Sequence, residues 1–340
     1  MRNLLFTFIL ALLSALTSAQ TFSNVAIAEA STVCSIAQDE QGMVWLGTEG
    51  GLYSYDGYRT IPHNTAADGT VVATRIHSML VSHNIIYMGT ERGLLVYDIR
   101  SGRYEHPLGH SPKDIRAVTM HQGRLWMGSA TGLYSCCLAA NDIRLENRQL
   151  QNVYSLLSTP RGLLVGTIDG LALRSPGGSI RRIPIGNGPQ PLVNALAPDR
   201  GTQAVWIGTE GALYRYDWRT FQPVAPLTGN SIKSLAMHDN NIYAGTDNGM
   251  FIYNKVSNDV RHALHDSRSA RSIANNIVWA VYNDRWGNLW AGTDQGVSEI
   301  QRRPFYTYTP LSDITHTGDG NCLHLIFRSA GNMLWLGGTN

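Results

Sequence analysis

The chain has 340 residues, 43% of them hydrophobic, with 34 glycines and a formal net charge of +2. This composition argues against a disordered chain and indicates a globular protein with many tight turns. The 27 basic residues are balanced by 25 acidic ones and are spread along the chain, so the electrostatic surface of a nucleic-acid binder is not expected.

The N-terminus has the pattern of a secretory signal peptide. The positive start Met1-Arg2-Asn3 precedes an apolar run at 4–13, and the small residues Thr17, Ser18 and Ala19 come before Gln20. The apolar run is shorter than the roughly 20 residues that a membrane-spanning helix needs. We therefore predict a signal peptide at 1–19 and export of the mature chain to the periplasm, with no membrane span later in the sequence.

A short motif recurs eight times downstream. It consists of two apolar or aromatic residues, Gly-Thr, a polar turn with glycine and a further apolar residue, and its first copy runs from Trp45 to Leu52. The first glycines of the copies are Gly47, Gly89, Gly128, Gly166, Gly208, Gly245, Gly292 and Gly337. A period of about 40 residues with strand-like units predicts an all-β fold, a β-propeller in which each repeat is one four-stranded antiparallel blade.

Seven complete copies predict a seven-bladed propeller that spans residues 20–310. The predicted blades are residues 33–62, 75–107, 115–150, 153–184, 193–226, 232–264 and 277–310. The clearest outer strands are 58–61 and 305–308. A strand-like leader at 21–30 is predicted to pair into the seventh blade, which removes an open sheet edge.

The last part of the chain begins a further repeat. Residues 321–327 and 332–338 predict two strands of an eighth copy. We therefore predict that residues 311–340 are an incomplete blade and the start of a second propeller.

Each part of the motif has a structural explanation. Glycine in Gly-Thr suits a strand that a neighbouring backbone approaches closely, and the following glycine suits a hairpin turn. A tryptophan at one fixed place per blade is expected to pack between blades. An acidic residue after Gly-Thr fits a turn, although a ring of carboxylates that gathers cations or acts on sugars is an alternative. These acidic residues are Glu49, Glu91, Glu210, Asp247 and Asp294, with Asp169 one place later.

The sequence contains no catalytic or metal-binding motif. The four cysteines, which are Cys34, Cys136, Cys137 and Cys322, have no C-x-x-C or Cys/His spacing. Adjacent Cys136 and Cys137 point to opposite faces of a strand, so a disulfide between them is not expected. Phosphate-binding loops, G-x-S-x-G and H-E-x-x-H are absent from the sequence. We expect no enzyme activity, no cofactor and no metal site.

The first copy resembles the two-component regulator propeller repeat. The residues that carry the resemblance are Val33-Cys34-Ser35-Ile36-Ala37-Gln38-Asp39, Gly42-Met43-Val44-Trp45-Leu46-Gly47-Thr48 and Gly51-Leu52-Tyr53-Ser54-Tyr55-Asp56-Gly57. Residues 283–293 and 331–337 match the same pattern. The resemblance extends over nearly the whole mature chain.

The resemblance implies the periplasmic sensor region of a hybrid two-component system. In that family two seven-bladed propellers, an immunoglobulin-like module and a membrane helix precede a histidine kinase, a receiver and a DNA-binding domain. Members of the family are similar to sensors that detect oligosaccharides from glycan breakdown and regulate polysaccharide utilisation. The resemblance also implies a dimeric sensor. Any kinase activity would lie outside this chain.

Two other functional classes remain open. One is a propeller glycosidase or sialidase, since Asp39, Gly42 and Trp45 resemble the Asp-box turn with one extra residue between Asp and Gly; the other is a protein-binding scaffold. Propeller ligands usually bind at the central mouth, where polar side chains bond sugar hydroxyls and aromatic rings stack on the sugar. The candidate ligand-binding residues at the starts of inner strands are Arg75, Arg116, Asn152, Asn194, Lys233, Asn276 and Trp279.

Overall fold

The computed structural model describes residues 22–25, 27, 32–105, 111–138, 142–300, 322–328 and 334–339. Seven four-stranded antiparallel sheets account for nearly all of its secondary structure. The inner strands of successive sheets contact one another, and the last contacts the first, so the sheets close into a ring. The protein is a seven-bladed β-propeller, as the repeat predicted.

Each of the first six blades is built from four consecutive strands. The inner strands are Val33–Gln38, Ile76–Ser82, Ile115–His121, Val153–Thr159, Val193–Pro198 and Ile232–His238. The second strands are Val44–Thr48, Ile85–Thr90, Arg124–Ser129, Gly162–Thr167, Val205–Thr209 and Asn241–Thr246. The third strands are Gly51–Tyr55, Gly93–Asp98, Gly132–Cys137, Gly170–Arg174, Leu213–Tyr216 and Met250–Asn254. The outer strands are Thr60–Pro62, Arg103–Glu105, Asp142–Asn147, Ile180–Ile183, Phe221–Pro223 and Val260–Ala263. A short 3-10 helix, Ala225–Leu227, follows the outer strand of blade 5.

Blade 7 is completed by the N-terminal part of the chain. Its first three strands are Val278–Asn283, Leu289–Thr293 and Gly296–Ile300, and the fourth is Ser23–Val25. Ser23 lies opposite Glu299 and Val25 opposite Val297 in an antiparallel pair. The predicted closing role of the leader is therefore confirmed, while the outer strand predicted at 305–308 lies outside the described residues.

One predicted outer strand is shifted. Tyr58 and Arg59 were expected in the outer strand of blade 1, but their backbone N–H groups both donate to Asp56 Oδ1 in a turn. The strand begins instead at Thr60. A carboxylate that bonds the next N–H groups competes with strand pairing, which explains the displacement.

The Gly-Thr motif joins neighbouring blades. A Cβ on Gly47 would lie 2.8 Å from Cγ2 of Ile76, at the start of the inner strand of blade 2. The hydroxyl of Thr48 donates to the Gly51 carbonyl at 2.9 Å and accepts the Gly50 N–H. A Cβ on Gly292 would lie 2.7 Å from the Val33 carbonyl, where blade 7 meets blade 1. The predicted close approach at these glycines is confirmed.

The repeated tryptophans pack between blades, as expected. They are nearly fully buried, and each belongs to a cluster with the following blade; these are Trp45, Trp126, Trp206 and Trp290. In blade 1 the buried Asp39 accepts the N–H groups of Gln41 and Met43 and the Trp45 indole N–H at 2.9 Å. Asp284 bonds the Trp290 indole in the same way at 3.2 Å. Each aspartate thus links a turn to the tryptophan that fills the gap between two blades.

The remaining part of the chain is described separately. By contacts the chain divides into two compact units, Met1–Arg302 and Arg303–Asn340. In the second unit Cys322–Arg328 and Leu334–Thr339 form an antiparallel two-stranded sheet, which confirms the two strands predicted there. That these strands begin a second propeller, and that the first ends at residue 310, stays a prediction.

Three cysteines have described side chains. Cys34, Cys136 and Cys137 are free thiols. Cys136 is buried and Cys137 is half-buried on the other face of the strand, as the alternation of strand side chains predicted.

Candidate functional site

Every inner strand carries a β-bulge at its second residue. The register against the second strand shifts across this residue in all seven blades, for example between Val33 and Ser35 and between Val278 and Ala280. A bulge redirects the side chain of the extra residue, and the inner strands of a propeller surround its central channel. We call the seven bulged residues the entrance ring; they are Cys34, His77, Arg116, Tyr154, Asn194, Lys233 and Trp279.

The bulge has a local cause in the sequence. The residue after it is always serine or alanine and pairs with the glycine of Gly-Thr, as Ser35 pairs with Gly47. Ser35 donates to the carbonyl of Ile76 in the next blade at 3.3 Å, and Ser155 donates likewise to Val193 at 3.2 Å. The small residue holds the inner strand against its neighbour, so the preceding side chain is the one left to line the channel.

One group of ring residues surrounds the indole of Trp279. The guanidinium carbon of Arg75, just before the inner strand of blade 2, lies 5.3 Å from the ring centroid. Nζ of Lys233, in blade 6, lies 4.2 Å from it. The Trp279 N–H donates to the carboxylate of Asp294. These contacts bring side chains of three blades onto one aromatic surface.

The two cations beside Trp279 each have a carboxylate partner. Arg75 pairs with Glu49 at 3.1 Å and Lys233 pairs with Asp247 at 2.9 Å. The carboxylates are the exposed members, at 50% and 56%, whereas the Arg75 and Lys233 side chains are 28% and 17% exposed. Because solvent reaches the carboxylates, an incoming polar group can approach Arg75 or Lys233 from the carboxylate side and take the place of its partner.

These carboxylates correct one expectation. The acidic residue after Gly-Thr was predicted to stabilise its own turn, but the turn N–H groups are bonded by the threonine hydroxyl, as with Gly50 and Thr48. The acidic side chains of Glu49, Asp247 and Asp294 bond to the cluster around Trp279 instead. The loop lies at the channel entrance because the second strand ends opposite the start of the inner strand.

A second group lies on blades 2 to 4. Arg116 bonds Asp114 at 2.7 Å and the Asn152 side-chain oxygen at 3.3 Å, and its guanidinium lies 4.5 Å from the Tyr154 ring centroid. His77 Nε2 lies 3.5 Å from Asp114. Burial and the charge of Arg75 lower the pKa of His77, with Asp114 acting in the opposite direction, so the imidazole is neutral at neutral pH.

The ring contains one thiol, Cys34. Burial raises its pKa to about 11, against the opposing effect of Arg75. The thiol is therefore protonated at neutral pH and is a poor nucleophile. Over the described part of the chain, no cluster of His, Cys, Asp and Glu has the geometry to hold a metal ion. The ring is equipped to bind a polar ligand by hydrogen bonds, charge and aromatic stacking.

Most of the candidate residues from the sequence lie at this entrance. Arg116, Asn194, Lys233 and Trp279 are ring members. Arg75 and Asn152 precede inner strands and contact ring residues. Asn276 differs, because its side-chain oxygen accepts the His265 N–H at 2.7 Å and braces a crossing loop.

Sequence reasoning missed three ring residues, which are Cys34, His77 and Tyr154. The candidates predicted from the sequence belong to two registers, one just before the inner strand and one inside it. Each inner strand begins with Val or Ile, followed by a variable residue and then by Ser or Ala. This pattern is visible in the sequence and would have located the ring.

Comparison with known proteins identifies the repeat. The model for the two component regulator propeller matches residues 29–50 and 272–295, which contain the turns of Asp39 and Asp284. No curated protein sequence matches the chain. Within the described residues, no helix is both long and apolar enough to cross a bilayer.

Solved structures extend the similarity to most of the chain. The extracellular domain of BT4673 from B. thetaiotaomicron is 37% identical with a TM-score of 0.78, over 94% of this chain and 45% of that domain. A second structure of the BT4673 extracellular domain, described as part of a hybrid two component system, is 35% identical with a TM-score of 0.77, over 95% of this chain and 45% of that one. The extracellular domain of BT3049 from the same organism, 20% identical with a TM-score of 0.72 over 94% and 47% of the two chains, shares the fold.

The chain thus spans less than half the length of these relatives. Its matched repeats, its blade count and its similarity to BT4673 agree with one another. The chain carries repeats of the two component regulator propeller and is similar over most of its length to the extracellular domain of BT4673.

Proposed function

We propose that this chain is the ligand-sensing propeller of a periplasmic sensor in a hybrid two-component system, and that it binds glycan-derived oligosaccharides at the entrance ring. The observation that carries the proposal is the Trp279 indole with Arg75 and Lys233 against it and exposed carboxylates around it. Stacking on an aromatic face and bonding of hydroxyls by charged side chains are how proteins hold sugars.

The rest of the proposal concerns the larger protein. The similarity to extracellular domains more than twice as long supports a second propeller after residue 310 and signalling domains beyond it. The same similarity supports export through a signal peptide at 1–19. We also propose that the protein forms a dimer. Binding at the ring is proposed to occur without turnover, because the thiol at the ring is protonated and the carboxylates are paired.

Calorimetry against a panel of neutral and acidic oligosaccharides tests this proposal. We expect a ligand whose affinity falls about tenfold, or ~1.4 kcal/mol, when Trp279→Ala removes the stacking surface. Tyr58→Ala is the matched control, since Tyr58 is an aromatic residue 91% exposed on the outside of blade 1.

Three outcomes would contradict the proposal. A ligand that binds equally to the Trp279→Ala variant does not use the ring. Release of shortened sugars on incubation would make the protein a glycosidase. A failure of every sugar to bind, together with a defined protein that binds the purified domain, would favour the scaffold function.

A further inference from the structure

A second concave surface lies far from the channel, at the outer side of blades 4 and 5. This cleft has a volume of about 620 Å³. Blade 4 contributes Arg181 and Ile183 from its outer strand, and blade 5 contributes Tyr214, Trp218 and Phe221. No residue of the entrance ring lines this cleft.

The cleft is lined by a row of aromatic rings. Tyr216 is buried at the floor and stacks on Phe221, with ring centroids 4.3 Å apart and planes inclined by 12°. The ring centroid of Trp218 lies 5.6 Å from that of Tyr216. Trp218 and Phe221 are only partly buried, so they offer faces to a bound molecule.

Trp218 occupies a backbone position that suits glycine. Its φ is +75°, in the left-handed region that bulky residues rarely adopt. The equivalent turn of blade 1 has Gly57 there, at φ +94°. The two turns are built alike, because Asp217 accepts the N–H groups of Arg219 and Thr220 as Asp56 accepts those of the corresponding residues.

Several contacts hold the tryptophan in this position. The indole N–H donates to the Gln203 carbonyl, and the guanidinium carbon of Arg161 lies 4.9 Å from the ring centroid. A smaller cavity of about 150 Å³, lined by Arg161 and Val205, lies against Trp218 as well. The indole is therefore pre-positioned at the cleft by blade 4 and blade 5 together, in a turn that glycine would form more easily.

The charge of the cleft is positive. Arg181 and Arg219 line it, and among the described residues that line it none is acidic. Burial raises the pKa of Tyr216, while the nearby charges of Arg181 and Arg161 oppose this rise. The carboxylate of Asp217 is engaged by the turn N–H groups, which lower its pKa.

The sheet edges beside the cleft are poorly suited to a bound peptide strand. The outer strands Ile180–Ile183 and Phe221–Pro223 have four and three residues. Pro184 and Pro223 have no N–H to offer. Peptides commonly add a strand to an exposed edge, and short edges with proline oppose this.

We propose that the aromatic cleft binds an acidic oligosaccharide. A pyranose ring stacks on Trp218, and sugar carboxylates pair with Arg181 and Arg219, whose planar guanidinium groups match a carboxylate. The site is separate from the entrance ring, and it does not depend on the sensing function proposed there.

The test is calorimetry of the whole chain with hexagalacturonate, with maltohexaose as the neutral probe and a hexaglutamate peptide as the acidic peptide probe. We expect hexagalacturonate to bind, more weakly at high salt because charge contributes. Trp218→Gly and Arg181→Ala are each expected to raise Kd by about tenfold or more. Arg182→Ala is the matched control, since Arg182 is the next residue on the strand and does not line the cleft.

The Trp218→Gly variant is expected to fold, and its folding can be checked directly. Glycine is the natural residue of the equivalent turn, so the thermal unfolding and circular dichroism of Trp218→Gly report whether the propeller is intact. No binding of hexagalacturonate to the folded wild type, or equal binding to Trp218→Gly, would overturn the proposal. Equal affinity for maltohexaose or hexaglutamate would overturn it too.

A variant of the ring separates the two sites. We expect Trp279→Ala to leave hexagalacturonate binding unchanged within about twofold, because sites without shared partners act independently. Loss of binding in Trp279→Ala but not in Trp218→Gly would assign the acidic sugar to the ring. The cleft proposal would then fail while the proposed function would stand.

Discussion

Replacing Gly208 by alanine is expected to destabilise the contact between blades 5 and 6. A Cβ at this position would lie 2.6 Å from Cγ2 and 3.0 Å from Cβ of Ile232, and 3.3 Å from Cβ of Ala195. Ile232 is fully buried and begins the inner strand of blade 6. Neither neighbour can move without displacing an inner strand of the propeller.

The size of the effect follows from the kind of clash. The φ of Gly208 is outside the left-handed region, so the cost is steric. An extra carbon forced into a well-packed core costs about 1–3 kcal/mol. In a domain of this size 1 kcal/mol shifts the melting temperature by about 2 °C, so we expect it to fall by roughly 2–6 °C.

Gly211 provides the matched control three residues later. A Cβ there would meet no atom within 4 Å, and its φ is also outside the left-handed region. Gly211→Ala is expected to be neutral, or to stabilise by up to about 1 kcal/mol because alanine restricts the unfolded chain. Urea unfolding followed by tryptophan fluorescence measures both variants. If Gly208→Ala were as stable as the wild type, the packing explanation of the Gly-Thr motif would be wrong.

Two further predictions concern closure and pH. Deleting Ser23–Val25 exposes the third strand of blade 7, so we expect a lower melting temperature and concentration-dependent aggregation, whereas unchanged values in both assays would contradict the closing role. Burial lowers the pKa of His63, so the unfolded chain binds a proton that the folded chain does not. The stability associated with His63 is present above pH 6.5 and is lost as pH falls through its lowered folded pKa, at most about 1.4 kcal/mol per pH unit for one proton. Urea unfolding at pH 7.5 and 5.0 measures this loss of unfolding free energy. An equal loss in the His63→Gln variant would assign the pH dependence to other groups.

The architecture could be predicted because its causes are local. A glycine such as Gly47 is required wherever the next inner strand approaches, so the requirement recurs once per blade and can be counted. The buried Asp39 and Trp45 bond within a seven-residue segment. The closing strand was predictable for a different reason, since an open sheet edge in blade 7 needs a partner.

The candidate site was predicted only in part. The start of each inner strand is predicted to line the entrance, and Trp279, Lys233 and Arg116 lie at that end of their strands, while their role in binding a ligand stays a prediction. Asn276 lies two residues before the inner strand of blade 7, where its side-chain oxygen accepts the His265 N–H, and its contact with a ligand stays a prediction. The bulge of one residue decides which side chain of each inner strand is directed toward the channel.

The sequence by itself determined the fold class and the seven blades, because both follow from a pattern that recurs about every 40 residues, and the closing role of the N-terminal segment, because an open sheet edge needs a partner. Only the tertiary structure decided which side chains meet. Arg75 and Lys233 reach Trp279 from blades 2 and 6, and Arg161 of blade 4 lies over Trp218 of blade 5. Such contacts depend on how blades are curved and packed around the channel, and no local pattern records the distance between residues so far apart in the chain.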